Sequence, residues 1–130
     1  MASKGETAVL QRYIKSKGPK AYICRTIWKK NANPISWIIT NKLSYNDPGD
    51  FTNRCIASSS KKFSCNITPC TGGRFVTETL PYVMNLLSYL RNTYNVDFDE
   101  IGCDFTKGLD DKWYFLNLRG FVLSNSITKV

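Results

Sequence analysis

One stretch of this chain has the period of a helix, and almost everything around it has the period of a strand. From Thr77 or Thr79, either of which can cap a helix, Leu80, Val83, Leu87, Leu90 and Tyr94 recur on one stripe, widened by Met84 and Leu86. Glu78 falls in the first turn, which also tolerates Pro81. Such a stripe is a packing face, so the flanking segments must supply the surface it packs on.

Those segments alternate. Tyr22, Cys24, Thr26 and Trp28 fall on one face of a strand from Ala21 to Trp28, with Ile23 and Ile27 on the other. Asn31-Ala32-Asn33-Pro34 is turn chemistry, and Ile35 to Thr40 returns as the second strand of a hairpin. Both strands are apolar on both faces, which predicts a sheet covered on each side, or by a partner. Asp47-Pro48-Gly49-Asp50 marks a surface loop, and short strands are expected at Arg54–Ser58 and Lys62–Thr68. After the helix, Phe98 to Phe105 reads as a strand, Gly108 to Asp111 as a turn, and Lys112 to Leu123 as the longest strand. In that strand Tyr114, Leu116, Leu118 and Val122 share one face, while Trp113, Phe115, Asn117, Arg119 and Phe121 share the other. Residues 5–17 read as a short basic amphipathic helix stopped by Gly18 and Pro19. The expectation is one α+β domain over residues 1–123 with a polar tail at 124–130. Its sheet is mainly antiparallel, of about five to seven strands, with one amphipathic packing helix and the short N-terminal helix.

With 130 residues, 42% of them hydrophobic, the chain can bury one core but not two. No run approaches the roughly 18 apolar residues of a membrane span. The first residues, Met-Ala-Ser-Lys-Gly-Glu, lack a secretory apolar core, so a soluble intracellular domain is expected. There is no histidine, which removes imidazole bases and the common triads, and the reading is of a chain that is not an enzyme. Of the five cysteines, Cys24 and Cys103 lie in apolar runs as small core residues. Cys55, Cys65, Cys70 and Cys103 are the one quartet that would suit a metal, but without the close pairs zinc sites use. No metal and no cofactor are expected.

The charge is lopsided. Residues 1–30 carry Lys4, Arg12, Lys15, Lys17, Lys20, Arg25, Lys29 and Lys30 against Glu6 alone, which accounts for nearly all of the net +8. Asymmetry of this kind points to an acidic partner: a nucleic-acid backbone, an anionic surface or an acidic protein. Arg12, Lys15, Lys17, Lys20, Arg25, Lys29 and Lys30 are the candidate contacts, with Trp28 and Trp37 as anchoring area.

Two resemblances bear on the partner. Ile101-Gly102-Cys103-Asp104-Phe105, Gly108-Leu109-Asp110-Asp111 and Trp113-Tyr114-Phe115-Leu116-Asn117-Leu118-Arg119 resemble the final hairpin of ATP-grasp domains, including the tubulin-tyrosine-ligase-like enzymes. In that family a Glu and an Asn of the last strand hold magnesium. The resemblance places Asn117 and Arg119 at those positions, and a guanidinium cannot be a metal ligand, so it implies a hairpin without the catalysis. Over the whole chain, the runs Ile23 to Trp28, Trp37 to Lys42, Glu78 to Tyr82, Trp113 to Leu116 and Arg119 to Phe121 resemble small basic domains of protist axonemes. That likeness implies a structural module on the tubulin lattice or axonemal proteins of a cilium or flagellum, within the cytoplasm. RNA binding in a ribonucleoprotein is the alternative, with Tyr22, Trp28 and Trp37 as stacking groups. A degenerate nucleotide-binding enzyme, using the carboxylates Asp97, Asp99, Glu100, Asp104, Asp110 and Asp111, is third.

Overall fold

The computed structural model describes residues 11–60, 63–70 and 73–124. Its elements in chain order are β1 (Tyr22–Lys29), β2 (Ile35–Asn41), α1 (Phe51–Arg54), β3 (Cys65–Cys70), α2 (Arg74–Tyr94), β4 (Phe98–Lys107) and β5 (Trp113–Leu123). The strands form one antiparallel sheet in the order β3-β2-β1-β4-β5. β1, β2 and β3 are laid down as consecutive neighbours. The chain then crosses the sheet in α2 and adds β4 on the far side of β1, where the β4–β5 hairpin completes the edge.

α2 spans 21 residues and begins earlier than its threonines predict. Gly73 occupies the N-cap position without a side-chain bond, and Thr77 and Thr79 lie inside the helix, donating back to the carbonyls of Gly73 and Phe75. Pro81 therefore sits beyond the first turn, in the helix interior. At the far end Asn95 adopts the left-handed conformation at φ 55°, and its N–H returns to the Arg91 carbonyl. The buried stripe is Val76, Thr79 and Val83, continued by the half-buried Leu86 and Leu87; Tyr94, expected on it, is exposed.

Cores lie on both sides of the sheet. On the α2 side Val83, Ile101, Cys103 and Phe105 pack with Trp28, Leu86, Leu87 and Trp113. Between helix and sheet, Thr26 Oγ1 lies 2.6 Å from the Thr79 hydroxyl and 2.8 Å from that of Ser36, all three fully buried. On the other side Ala21, Ile39, Tyr45, Cys55, Ala57 and Cys65 pack beneath the loop that follows β2. The loop is held by Asn41, whose amide donates to the Asn53 and Ile56 carbonyls. This matches the two-faced apolarity of the first hairpin.

Three local expectations are corrected. Residues 11–17, assigned to an N-terminal helix, are extended, with Ser16 bridging to Gly108; residues 5–10 lie outside the described residues. Tertiary partners outweigh the helical spacing there: Tyr13 donates to the Cys55 carbonyl, and Ser16 lies 2.8 Å from both the Tyr45 and Thr106 hydroxyls. Arg54–Ser58 is not a strand, because Asp50 caps the short helix α1, which runs into Cys55. The later strand occupies Cys65–Cys70. In β5 the strict alternation fails, since the β4 pairing shifts register between Gly102 and Cys103 and between Asp104 and Phe105. Those bulges place Leu118, the partner of Cys103, on the α2 side with Trp113, Phe115 and Phe121, and Asn117 on the opposite side beside Asp104.

The hydroxyl chain makes a testable claim. Thr26→Val leaves the buried Ser36 hydroxyl with only the weak Cys24 thiol as a side-chain partner and should cost about 1–3 kcal/mol by urea denaturation. Adding Ser36→Ala should recover much of that loss, because the poorly bonded group is then gone.

Candidate functional site

Antiparallel pairing gathers at one end of the sheet the start of β1, the end of β2, the end of β4 and the start of β5. The segment 12–20, which bends at residues 17–20, is fastened across that end: Lys17 N–H donates to the Lys107 carbonyl at 2.8 Å, and Tyr45 N–H to that of Pro19. The end therefore collects Arg12, Lys15, Lys17, Lys20, Lys42, Arg74, Lys107 and Lys112, against Glu78, Asp110 and Asp111, with Asp47 and Asp50 in the loop beside it. Four of those cations, Arg12, Lys15, Lys17 and Lys20, belong to the basic first thirty residues; Lys17 is paired with Asp111, while Lys15 lies over the Tyr45 ring at 4.8 Å.

The β4–β5 turn shapes this end. Gly108 N–H bonds the Lys112 carbonyl, and Asp111 takes a positive φ of 65°. A Cβ on Gly108 would stand 2.8 Å from the Tyr114 ring and 2.9 Å from the Asp110 carboxylate, so any other residue would push both aside. Between this turn and segment 12–15 runs a cleft of about 340 Å³ lined by Arg12, Lys15, Leu109, Asp110 and Tyr114. A second hollow of about 250 Å³, lined by Lys17, Tyr22, Arg74, Phe75, Lys107 and Asp111, lies beside the first turn of α2.

Glu78 ties the helix to this end. One carboxylate oxygen accepts from Trp113 Nε1 at 2.8 Å and Lys107 Nζ at 2.9 Å, and the other from Arg74. Phe75 completes the cluster, edge-on to Trp113 and stacked on Tyr22. The Trp113 bond first, then Arg74 and Lys107, hold the Glu78 carboxyl down at about 2. Burial pushes the Tyr22 phenol up to about 12 and the Cys103 thiol up to about 11, so neither ionises near neutrality.

The remaining candidate contacts are dispersed. Arg25 lies mid-sheet on the face away from α2, bonded through two nitrogens to Asp104 at 2.8 and 3.2 Å, and both side chains are largely buried. Lys29 and Lys30 are at the opposite end of β1, roughly 26 Å along an eight-residue strand, and Lys29 pairs with Glu100 at 3.3 Å. Trp28 packs in the core beneath α2, and Trp37 lies half-buried on the other face. The basic end thus unites Arg12, Lys15, Lys17 and Lys20 and separates them from Arg25, Lys29, Lys30 and the two tryptophans. Lys42, Arg74, Lys107 and Lys112 join it through strand pairing, which local sequence does not display. Arg74 had one local sign, its i,i+4 spacing to Glu78.

Asp104 is committed to Arg25, and Asn117 is its cross-strand neighbour. The cysteine quartet is divided by the sheet, Cys55 and Cys65 beneath the loop and Cys103 beneath α2. Among the described residues no cluster of Cys, Asp and Glu is gathered that could hold a metal ion, and no helix is long and apolar enough to cross a membrane. In comparisons with known protein families, with curated proteins and with solved structures, nothing matches this chain.

The Glu78 clamp predicts a pH dependence. Its pKa in the fold lies below the ordinary 4.5, so its contribution is complete above about pH 4.5 and is lost as pH falls towards 2. Melting temperature should drop over that interval more steeply in the native protein than in Glu78→Gln. At neutral pH that variant should lose about 1–2 kcal/mol, a figure reduced for the partial exposure of the carboxylate.

Proposed function

We propose that this chain is a non-enzymatic docking module whose basic end binds an acidic face of a large assembly. The assembly we favour is the microtubule lattice of a cilium or flagellum, reached in the cytoplasm. One observation carries the reading. Among the described residues every carboxylate has an internal partner, whereas Arg12, Lys15, Lys20, Lys42 and Lys112 form no ion pair. The acidic groups serve the fold; of the other cations without an ion pair, Arg54 bonds the Gly49 and Tyr45 carbonyls and Lys30 and Arg119 lie elsewhere, so it is at this end that unpaired positive charge gathers.

Charge of that kind sets orientation and encounter rate more than affinity, and it is screened by salt. Arg25 and Lys29, already paired, contribute little to such a surface. A second reading, binding of single-stranded RNA, has its own support. Tyr13 and Phe51 form an exposed edge-to-face pair with ring centres 5.1 Å apart, in the same part of the molecule as Arg12 and Lys15. Such a pair is a stacking platform beside phosphate contacts.

Co-sedimentation with polymerised tubulin tests the first reading. The chain should pellet at low salt and less at moderate salt. Lys15→Glu/Lys42→Glu/Lys112→Glu should bind at least about tenfold more weakly, and Lys29→Glu/Lys30→Glu, at the far end, should bind nearly as the native chain does. Failure to pellet at either salt refutes it. Tight RNA retention on filters with a steep salt slope, lost in Tyr13→Ala, would establish the second reading instead.

A further inference from the structure

The two edges of the sheet differ. β3 is six residues long and contains Pro69, which has no amide hydrogen to offer a neighbouring strand. β5 is eleven residues long, has no proline, and carries Arg119 as its one charge. Natural edge strands are usually shortened, charged, bulged or covered; β5 is long, carries one charge, has its bulges in the pairing with β4, and among the described residues no strand pairs with its outer border.

Its α2-side face is equally bare. Phe115, Leu118 and Phe121 are 52%, 38% and 54% exposed. Between this face and α2 opens an apolar cleft of about 280 Å³ lined by Tyr82, Leu86, Phe105, Trp113 and Phe115. Tyr89, one heptad beyond Tyr82 and therefore on the same side of the helix, is also exposed.

We propose that β5 pairs with β5 of a second copy of this chain, antiparallel about a two-fold axis at Leu118 and perpendicular to the sheet. The sequence of the strand is self-complementary in that register. Phe115 meets the second copy's Phe121, Leu118 meets its own counterpart, and Trp113 meets Leu123. The bulges against β4 are what bring Phe115, Leu118 and Phe121 to the same face, so all three contacts form on the α2 side. An axis perpendicular to the sheet leaves both helices on that side, and the exposed Tyr82 and Tyr89 of each line the channel between them. Charge agrees with the register. Lys112, which forms no ion pair among the described residues, falls opposite the second copy's Ser124, whose hydroxyl donates to Asp99 at 2.7 Å. The basic start of one β5 thus lies beside the acidic start of the other copy's β4, where Asp97, Asp99 and Glu100 stand. An isologous contact of this kind closes on itself.

Sedimentation equilibrium on the purified full chain should give a mass rising to that of two chains with concentration. Leu118→Lys sets two like charges face to face on the axis and should give the single-chain mass, with an unchanged circular dichroism spectrum because Leu118 already faces solvent. Leu118→Cys is the independent arm: the axis brings the two Cα atoms to about 4.5–5.5 Å, within disulfide range. Mild oxidation should therefore link two chains through residue 118, mapped by mass spectrometry, far faster than it links Leu109→Cys on the exposed turn. A single-chain mass at every concentration, undiminished association of Leu118→Lys, or no preference for residue 118 over residue 109 would each overturn the proposal. Neither arm depends on tubulin or RNA, so the fate of the docking surface is read separately.

Discussion

A helix is about 10 Å across and strands lie about 4.8 Å apart, so one helix shields two strands well and cannot shield five. That disproportion governs the molecule. α2 settles over β1 and its immediate neighbours, where the Thr26 hydroxyl and the side chains of Val83, Ile101 and Phe105 fix its position. Everything else on the sheet must be covered by other means or left in solvent. On the reverse face the loop after β2 supplies the cover, with Tyr45, Cys55 and Ala57 pressed onto Ile39 and Cys65. On the α2 side the helix reaches only the start of β5, at Trp113, and leaves Phe115, Leu118 and Phe121 largely exposed among the described residues.

The polar groups follow the same logic. Buried charge is expensive unless its partner comes with it, and Arg25 and Asp104 arrive as a cross-strand pair with two bonds. Glu78 performs a different service at the start of α2, where a helix without a side-chain cap is tied to β4 and β5 by one carboxylate. Because the carboxylates are consumed in these tasks, the net charge of +8 is concentrated on the cations that have none.

What could be read from the sequence was local and periodic. The long helix, the first hairpin and the final hairpin announce themselves through spacing and turn residues, and each stands near its expected place. Readings failed where distant atoms decide. Residues 11–17 have helical spacing, but Tyr13 and Ser16 find better partners at Cys55, Tyr45 and Thr106. The faces of β5 depend on two bulges that exist only in its pairing with β4. The charge run of the first thirty residues looked continuous because sequence distance hides both the length of β1 and the carboxylates that wait on β4 for Arg25 and Lys29. Lys42 and Lys112 joined the basic end through topology alone.

Pro69 has a consequence of its own. A sheet with two receptive borders can recruit neighbours without limit, which is how ordered fibres grow. Here one border is brief and interrupted by an imino acid, so lateral growth by this chain has only one direction open to it. Once that direction is occupied, both outer margins of the resulting sheet are the unreceptive kind, and the proline acts as a terminator that keeps accretion finite.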